Sequence, residues 1–349
     1  MSDGTTDIEV ARYEVDFQGD ARSLVYTFGG AAPVASLHPP CVLETSTLDC
    51  YAGRVTSVQH MPSQRCDPRL LNPQTGPFYV EGAEPGDTLA LHFARIEPHF
   101  AWGVSSTVPF FGSLTATPMT AMLHAPLPEL TWIYEIDRKA GVVRYEARER
   151  KGVCVDLPLD PMHGTVGVAP ALGEARSSLT PGPWGGNMDT PEMRAGTTCY
   201  LGVNVEGALW SLGDGHARQG EGETCGVAVE TAMDSVVALE LLKATATPWP
   251  RLEDDTYLMT TGSARPLEDA FRIAHQQMVH WVSELCGLTT MDAYQLVSQI
   301  ALTPVANVVD TNYTIVAKVP KAHLPAATSA MGGLHARLRR HAQDYLRRR

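Results

Sequence analysis

The chain predicts an α+β fold that is mainly β: a sandwich or barrel-like body of short strands with a few packing helices, two of them near the C-terminus. Short runs of β-branched or alternating apolar residues at 41–48, 88–96, 141–147, 198–205 and 313–319 have the pattern of half-buried strands. The 25 prolines and 30 glycines fall mostly between such runs, where they mark turns. Helical periodicity comes late. Leu267, Ala270, Phe271, Ala274, Met278, Trp281, Val282 and Leu285 recur at helical spacing after Pro266 and stop at Gly287. A second helix spans 291–302 and ends ahead of Thr303-Pro304. His275 and His280 lie on or beside these helices and read as surface or core-satisfied groups.

A length of 349 residues suggests two subdomains or one large one. The expected division is an N-terminal β-rich unit over 1–150, an α+β unit over 151–325 carrying the glycine-rich segments, and a basic C-terminal tail over 326–349. The tail reads as a solvated helix rich in arginine. A net charge of −12 argues against nucleic acid as a partner, because phosphate binding needs a basic surface. Seven cysteines, an odd number with no C-x-x-C pair, argue against a disulfide framework. The first sixteen residues are acidic and lack the basic-then-apolar pattern of a secretory signal, and no apolar run is long enough to span a membrane. A soluble cytoplasmic protein is expected. Val80-Glu-Gly-Ala83 is echoed by Val205-Glu-Gly-Ala208, each followed by Gly-Asp, as a duplicated β unit would produce.

Several segments carry residues that a core does not need. The stretch 213–230 packs five glycines around Asp214, His216, Glu221, Glu223, Cys225 and Glu230, and reads as a glycine-dense loop. Asp214 and His216, two apart, offer carboxylate and imidazole to a divalent metal, and the glutamates offer general acids and bases. Asp49, at a strand end, is either a ligand or a turn starter. Glu81 follows an apolar strand and precedes Gly82, so it is a candidate base projecting into a cleft. Gly186 and Asn187 could supply donors to an oxyanion, or form an ordinary glycine-rich turn. Cys225 invites a thiolate mechanism with Glu223 or His216 as base, although the apolar run after it favours a core cysteine. The segment 102–112, rich in aromatic and small residues, either lines a pocket or packs.

Taken together and in order, Asn72-Pro-Gln-Thr-Gly-Pro77, Val80-Glu-Gly-Ala-Glu-Pro-Gly-Asp87, the run from Met162 to Pro170, Gly185-Gly-Asn-Met-Asp189, Gly213 to Glu223 with Cys225-Gly226, and Asp292-Ala-Tyr294 resemble the acetamidase/formamidase family. The resemblance spans roughly residues 40 to 320. It implies a cytoplasmic hydrolase of small amides or related lactams, in a mainly β fold that forms homo-oligomers, with a divalent metal, zinc by preference. Within it, Asp49, Asp214 and His216 are expected as ligands, Glu81 or Glu223 as the proton-transfer group, and Gly186 and Asn187 as oxyanion donors. Arg218, where a small residue is expected, and the 102–112 segment depart from the pattern in ways that bear on substrate. The alternatives are a thiol-dependent amidase using Cys225 and a non-catalytic small-molecule or metal-binding β module.

Overall fold

Alternation along the longest strands explains how the layers form. In Thr88–Pro98 and Met233–Leu242, Leu89, Leu91, Phe93, Val237 and Leu239 face one way into the main core. Ala90, Val236 and Ala238 face the other way, so one sheet has two buried faces. A computed structural model describes residues 9–115, 123 and 125–349. It places these strands in a nine-stranded sheet ordered Glu9–Tyr13, Cys41–Thr47, Met233–Leu242, Thr88–Pro98, Thr198–Gly202, Arg251–Glu253, Tyr257–Ala264, Tyr313–Pro320 and Val305–Asn307. A ten-stranded sheet runs from Cys154–Pro158 through Val142–Glu146, Leu130–Asp137, Trp102–Thr107, Val229–Glu230, Trp210–Arg218 and Met162–Gly167 to Gly185–Asn187. Gln74–Val80 and Ala35–Leu37 are joined at its side. The main core lies between the sheets, where Leu43, Leu91 and Val237 of the first meet Phe78, Val166 and Trp210 of the second.

The expected mainly β body is therefore present, and the helices are few. Leu267–Cys286 starts after Pro266 and ends at Gly287, whose φ of 65° is the left-handed cap that glycine favours. Thr290–Ile300 follows, capped by the Thr289 side chain accepting from the Asp292 N–H. Both pack on the nine-stranded sheet through Ala274, Met278, Val282 and Val297. His275 is satisfied by the Phe271 carbonyl and the Thr303 hydroxyl. The two echoed turns pair with each other: the Val80 N–H donates to Gly207 O and the Gly207 N–H to Ala83 O, each at 2.9 Å.

Two expectations about organisation are corrected. Residue 150 is no boundary, because the strands on either side of it, Val142–Glu146 and Cys154–Pro158, pair directly and both sheets mix strands from the two halves. Nor is the C-terminal segment solvated. The helix Leu334–Arg347 buries Leu334, Leu338 and Ala342 against Val42, Ala90 and Tyr200, and Arg337 pairs with Glu240 on the sheet at 2.6 Å while Arg339 pairs with Asp255 in the turn before Tyr257–Ala264. Arginine stems cover apolar surface while their heads find carboxylates, so a basic sequence can dock on an acidic body.

Candidate active site

The site is built on a strand whose glycines look like loop residues in the sequence. Trp210–Arg218 lies inside the ten-stranded sheet, and its glycines allow the neighbours to come close. A Cβ at Gly213 would lie 2.6 Å from Pro73 O, and one at Gly215 would lie 2.8 Å from Thr231 O and collide with Met233. The expected loop at 213–230 is thus strand as far as Arg218, and Val229–Glu230 returns beside it with Glu230 opposite His216.

Asp214 and His216 meet. His216 Nε2 lies 3.4 Å from Asp214 Oδ2 and 3.2 Å from Glu230 Oε2, all three residues being buried. The other ring nitrogen, Nδ1, donates to Gln219 Oε1 at 2.9 Å, and Gln219 is itself anchored to the carbonyls of Asp189 and Ala306. That chain fixes the ring and leaves Nε2 facing the acids. Gly164, on the adjoining strand, is where a Cβ would come 2.6 Å from Asp214 Oδ2 and 2.9 Å from His216 Cε1, and would strike Asp189. Only a bare backbone fits beneath these three groups.

Asn187 ties a second ring of acids to the first. Its Nδ2 donates to Asp189 Oδ2 at 2.8 Å and Asp310 Oδ2 at 2.9 Å, while its Oδ1 accepts from Asn72 Nδ2 at 2.9 Å and from the Thr165 hydroxyl. Four residues of this cluster have left-handed backbones: Asn72 at φ 59°, Asp189 at 46°, Asp214 at 55° and Glu223 at 47°. Such conformations cost about 1–3 kcal/mol each away from glycine, and they gather where surrounding structure forces a side chain into place.

Charge is the dominant feature. Asp189, Asp214, Glu223, Glu230 and Asp310 are all buried. Among the described residues the ion-pair partner of Asp214 and Glu230 is His216, and no ion pair reaches the other three. Burial pushes the carboxyls of Asp310 and Glu230 up to about 7. Burial, reinforced by neighbouring acids, raises Asp189 and Glu223 well above the carboxylate range. Asp214 goes the other way: burial would raise it, but His216 holds it below its ordinary value. Burial would lower His216, and the facing Glu230 and Asp214 instead raise it well above the usual imidazole range. His216 Nε2, Glu230 Oε2 and Asp189 Oδ1 are buried without a hydrogen-bond partner. Two sets of side chains, Asp189 with His216 and Glu223, and Cys50 with Asp214 and Glu230, each bring three ligand atoms within 4.8 Å of one another. Unpartnered buried donors and acceptors around surplus negative charge suit a bound cation.

The remaining expected residues divide. Glu223 lines the cavity over this floor, as do Asp214 and Asn187. Both amide hydrogens of Asn187 are engaged by carboxylates, so the side chain expected to hold an oxyanion instead braces Asp189 and Asp310. Gly186 pairs with Val166 in the sheet and lies outside the cavity lining. Asp49 is buried, and its Oδ1 accepts from the N–H groups of Tyr51 at 2.8 Å and Gly53 at 3.1 Å, the turn-starter geometry. Glu81 is corrected outright: it is exposed on the turn after Gln74–Val80, where Gly82 takes a left-handed φ of 77°, and it is not part of the cavity lining. Cys225 is exposed, not core, and its Sγ donates to Val227 O at 3.1 Å, a carbonyl and not a base. Asp310, Asn72, Asp189 and Cys50 belong to the site or its cavity and are not among the residues expected from sequence. Asp189 ends the Gly185-Gly-Asn-Met-Asp189 motif and Asn72 begins the Asn72-Pro-Gln-Thr-Gly-Pro77 motif, so polar residues at motif ends are the available signal.

The cavity is about 430 Å³ in volume. Its floor is acidic, and its walls include Leu71, Val108, Phe111, Leu179 and Val227, so the 102–112 segment does contribute to a pocket.

The acetamidase/formamidase family profile matches residues 162–324, which includes Asp189, Asp214, His216, Glu223, Glu230 and Asp310. An acetamidase structure from Yersinia enterocolitica is 36% identical, with a TM-score of 0.84, covering 92% of this chain and 94% of that one. An acetamidase structure from Bacillus halodurans is 31% identical, with a TM-score of 0.78, covering 89% and 98%. A Schizosaccharomyces pombe protein with a provisional formamidase name is 26% identical over 217 residues, 48% of this chain. The chain spans about half the length of that curated relative, 51%.

Proposed function

Because the chain belongs to the acetamidase/formamidase family, a family of amide hydrolases, we propose that it hydrolyses an amide C–N bond to carboxylate and ammonia with the help of a divalent cation. The observation that carries the reading is the set of five buried carboxylates around one imidazole, four of them lining a cavity, with His216 Nε2, Glu230 Oε2 and Asp189 Oδ1 lacking a hydrogen-bond partner. His216, Asp214 and Glu230 would hold the cation, with Cys50 Sγ within 4.8 Å of a carboxylate oxygen of each acid. A mixed nitrogen, oxygen and sulfur donor set favours zinc. When bound, such a cation supplies Lewis acidity toward a carbonyl oxygen and lowers the pKa of water.

The rest of the chemistry falls to the chain. Glu223 faces the cavity and has an enhanced proton affinity from burial, which suits it to take a proton from the attacking water and deliver it to the amide nitrogen. The water oxygen bonds to the carbonyl carbon, the C–N bond breaks with its electron pair on nitrogen, and ammonia leaves. Asn187 bridges Asp189 and Asp310 and fixes their positions. Gly164 keeps the floor open. The same reading makes the enzyme a cytoplasmic homo-oligomer. Its seven free thiols suit a reducing compartment, and Phe271, Met291 and Tyr294 are exposed on the helix pair.

The test is ammonia release from formamide, acetamide and larger amides by the purified protein, with and without chelator, alongside its metal content. Chelation abolishes release and added zinc restores it. Hydrolysis that persists in metal-free protein would remove the cation from the reading, and no release from any amide would remove the reaction.

A further inference from the structure

The floor of the cavity and its walls are chemically unlike. Below lie carboxylates that accept hydrogen bonds. Above them stand Pro62, Leu71, Val108, Phe111, Leu179 and Val227, with few polar atoms between. Acetamide, with four non-hydrogen atoms, occupies the space of about four waters, roughly 120 Å³. The cavity offers about 430 Å³, within the range of pockets that enclose a much larger ligand. A formyl or acetyl group would leave most of the apolar wall facing water or empty space.

On the basis of the amide-hydrolase reading above, we infer that the preferred substrate is a primary amide of a bulky apolar acid, with an acyl group of about six or more carbons. The orientation follows from hydrogen-bond type. An unsubstituted NH₂ has two donors to give to an acceptor-rich floor. Two amide donors of the lining are already engaged, Asn187 by Asp189 and Asp310 and Asn72 by Thr165 and Asn187. The nitrogen therefore points down among the acids, and the acyl chain lies along Leu71, Val108 and Phe111. An amide carrying its bulk on nitrogen would put an apolar group against carboxylates and lose both donors.

The test compares kcat/KM for formamide, acetamide, hexanamide, phenylacetamide and acetanilide. A buried methylene gives about a fourfold gain, so hexanamide exceeds acetamide by roughly two orders of magnitude. Phenylacetamide exceeds acetanilide, its N-substituted counterpart. Val108→Phe, which fills the wall, shrinks the hexanamide-to-acetamide ratio at least about tenfold. Formamide or acetamide matching hexanamide would overturn the inference while leaving amide hydrolysis intact, and acetanilide exceeding phenylacetamide would reverse the assigned orientation. If no amide is turned over, calorimetric titration of phenylacetamide against acetamide still decides. Tighter phenylacetamide binding upholds the cavity assignment, and equal or weaker binding ends it.

Discussion

Glu192 and Glu253 are as deeply buried as Asp214 and Glu230, with exposures of 4% and 3% against 4% and 2%. The difference lies in their partners. Lys318 Nζ meets Glu192 at 2.6 Å, and Lys321 Nζ meets Glu253 at 2.7 Å, where the Tyr200 hydroxyl donates to the second oxygen. These pairs sit where the strands Arg251–Glu253, Tyr257–Ala264 and Tyr313–Pro320 come together, and they are electrically complete. At the cavity floor five acids share one imidazole. Burial alone thus does not distinguish a site from a scaffold, whereas burial without a compensating charge does.

The contrast can be broken from the site end first. Glu223→Gln is expected to lower kcat by about a hundredfold to ten-thousandfold, the usual contribution of a proton-transfer group, with the fold retained by circular dichroism. A loss of only a few-fold would move the role to another acid. At the paired end, Lys318→Met strands Glu192 and is expected to cost about 3–5 kcal/mol in urea unfolding while kcat per folded molecule holds. A cost well under 1 kcal/mol would mean that the pairing does not explain why this acid is tolerated.

A third measurement sharpens the comparison through pH. Burial holds His92 down to about 3, with His335 and Arg339 disfavouring its charge and Asp255 opposing them. The folded state keeps it neutral while the unfolded chain takes up a proton below about 6.5. Its contribution to stability is therefore present above 6.5 and is lost as pH falls from 6.5 toward 3, by a few kcal/mol. His92→Gln is expected to flatten that part of the stability profile, and an unchanged slope would assign it elsewhere. The smallest effect belongs to Glu81→Gln, which is exposed and should leave kcat/KM unaltered. A large loss there would show that the cavity is not the reaction centre.

The elements that were legible in the sequence are those whose local chemistry and tertiary setting agree. Pro266 and Gly287 bracket a helix because proline suits its start and glycine its left-handed end. Thr88–Pro98 alternates because each face meets a different core. Asp214, His216, Glu223 and Asn187 were legible because glycines surround them and a core has no use for them. What misled was the same glycine signal: at 213 and 215 it reports neighbours too close for a Cβ, not a loop, and that depends on Pro73, Met233 and Thr231, far away in sequence. Asp310 lies in a turn where an acid is unremarkable, and only the fold brings it to Asn187. Cys225 precedes an apolar run, yet it is the following Val227 and Ala228 that are buried. The C-terminal helix is basic in sequence, and its partners Glu240 and Asp255 lie far from it along the chain.

Asp214, His216 and Glu230 are fixed to paired strands, while the apolar walls come from segments between strands: Pro62 and Leu71 before Gln74–Val80, Val108 and Phe111 after Trp102–Thr107, and Leu179 ahead of Gly185–Asn187. Connections tolerate exchange that central strands do not. Exchanging a handful of wall residues can therefore change what this frame accepts while the strand-borne Asp214, His216 and Glu230 stay in place. Selectivity can drift in this architecture without the reaction being reinvented.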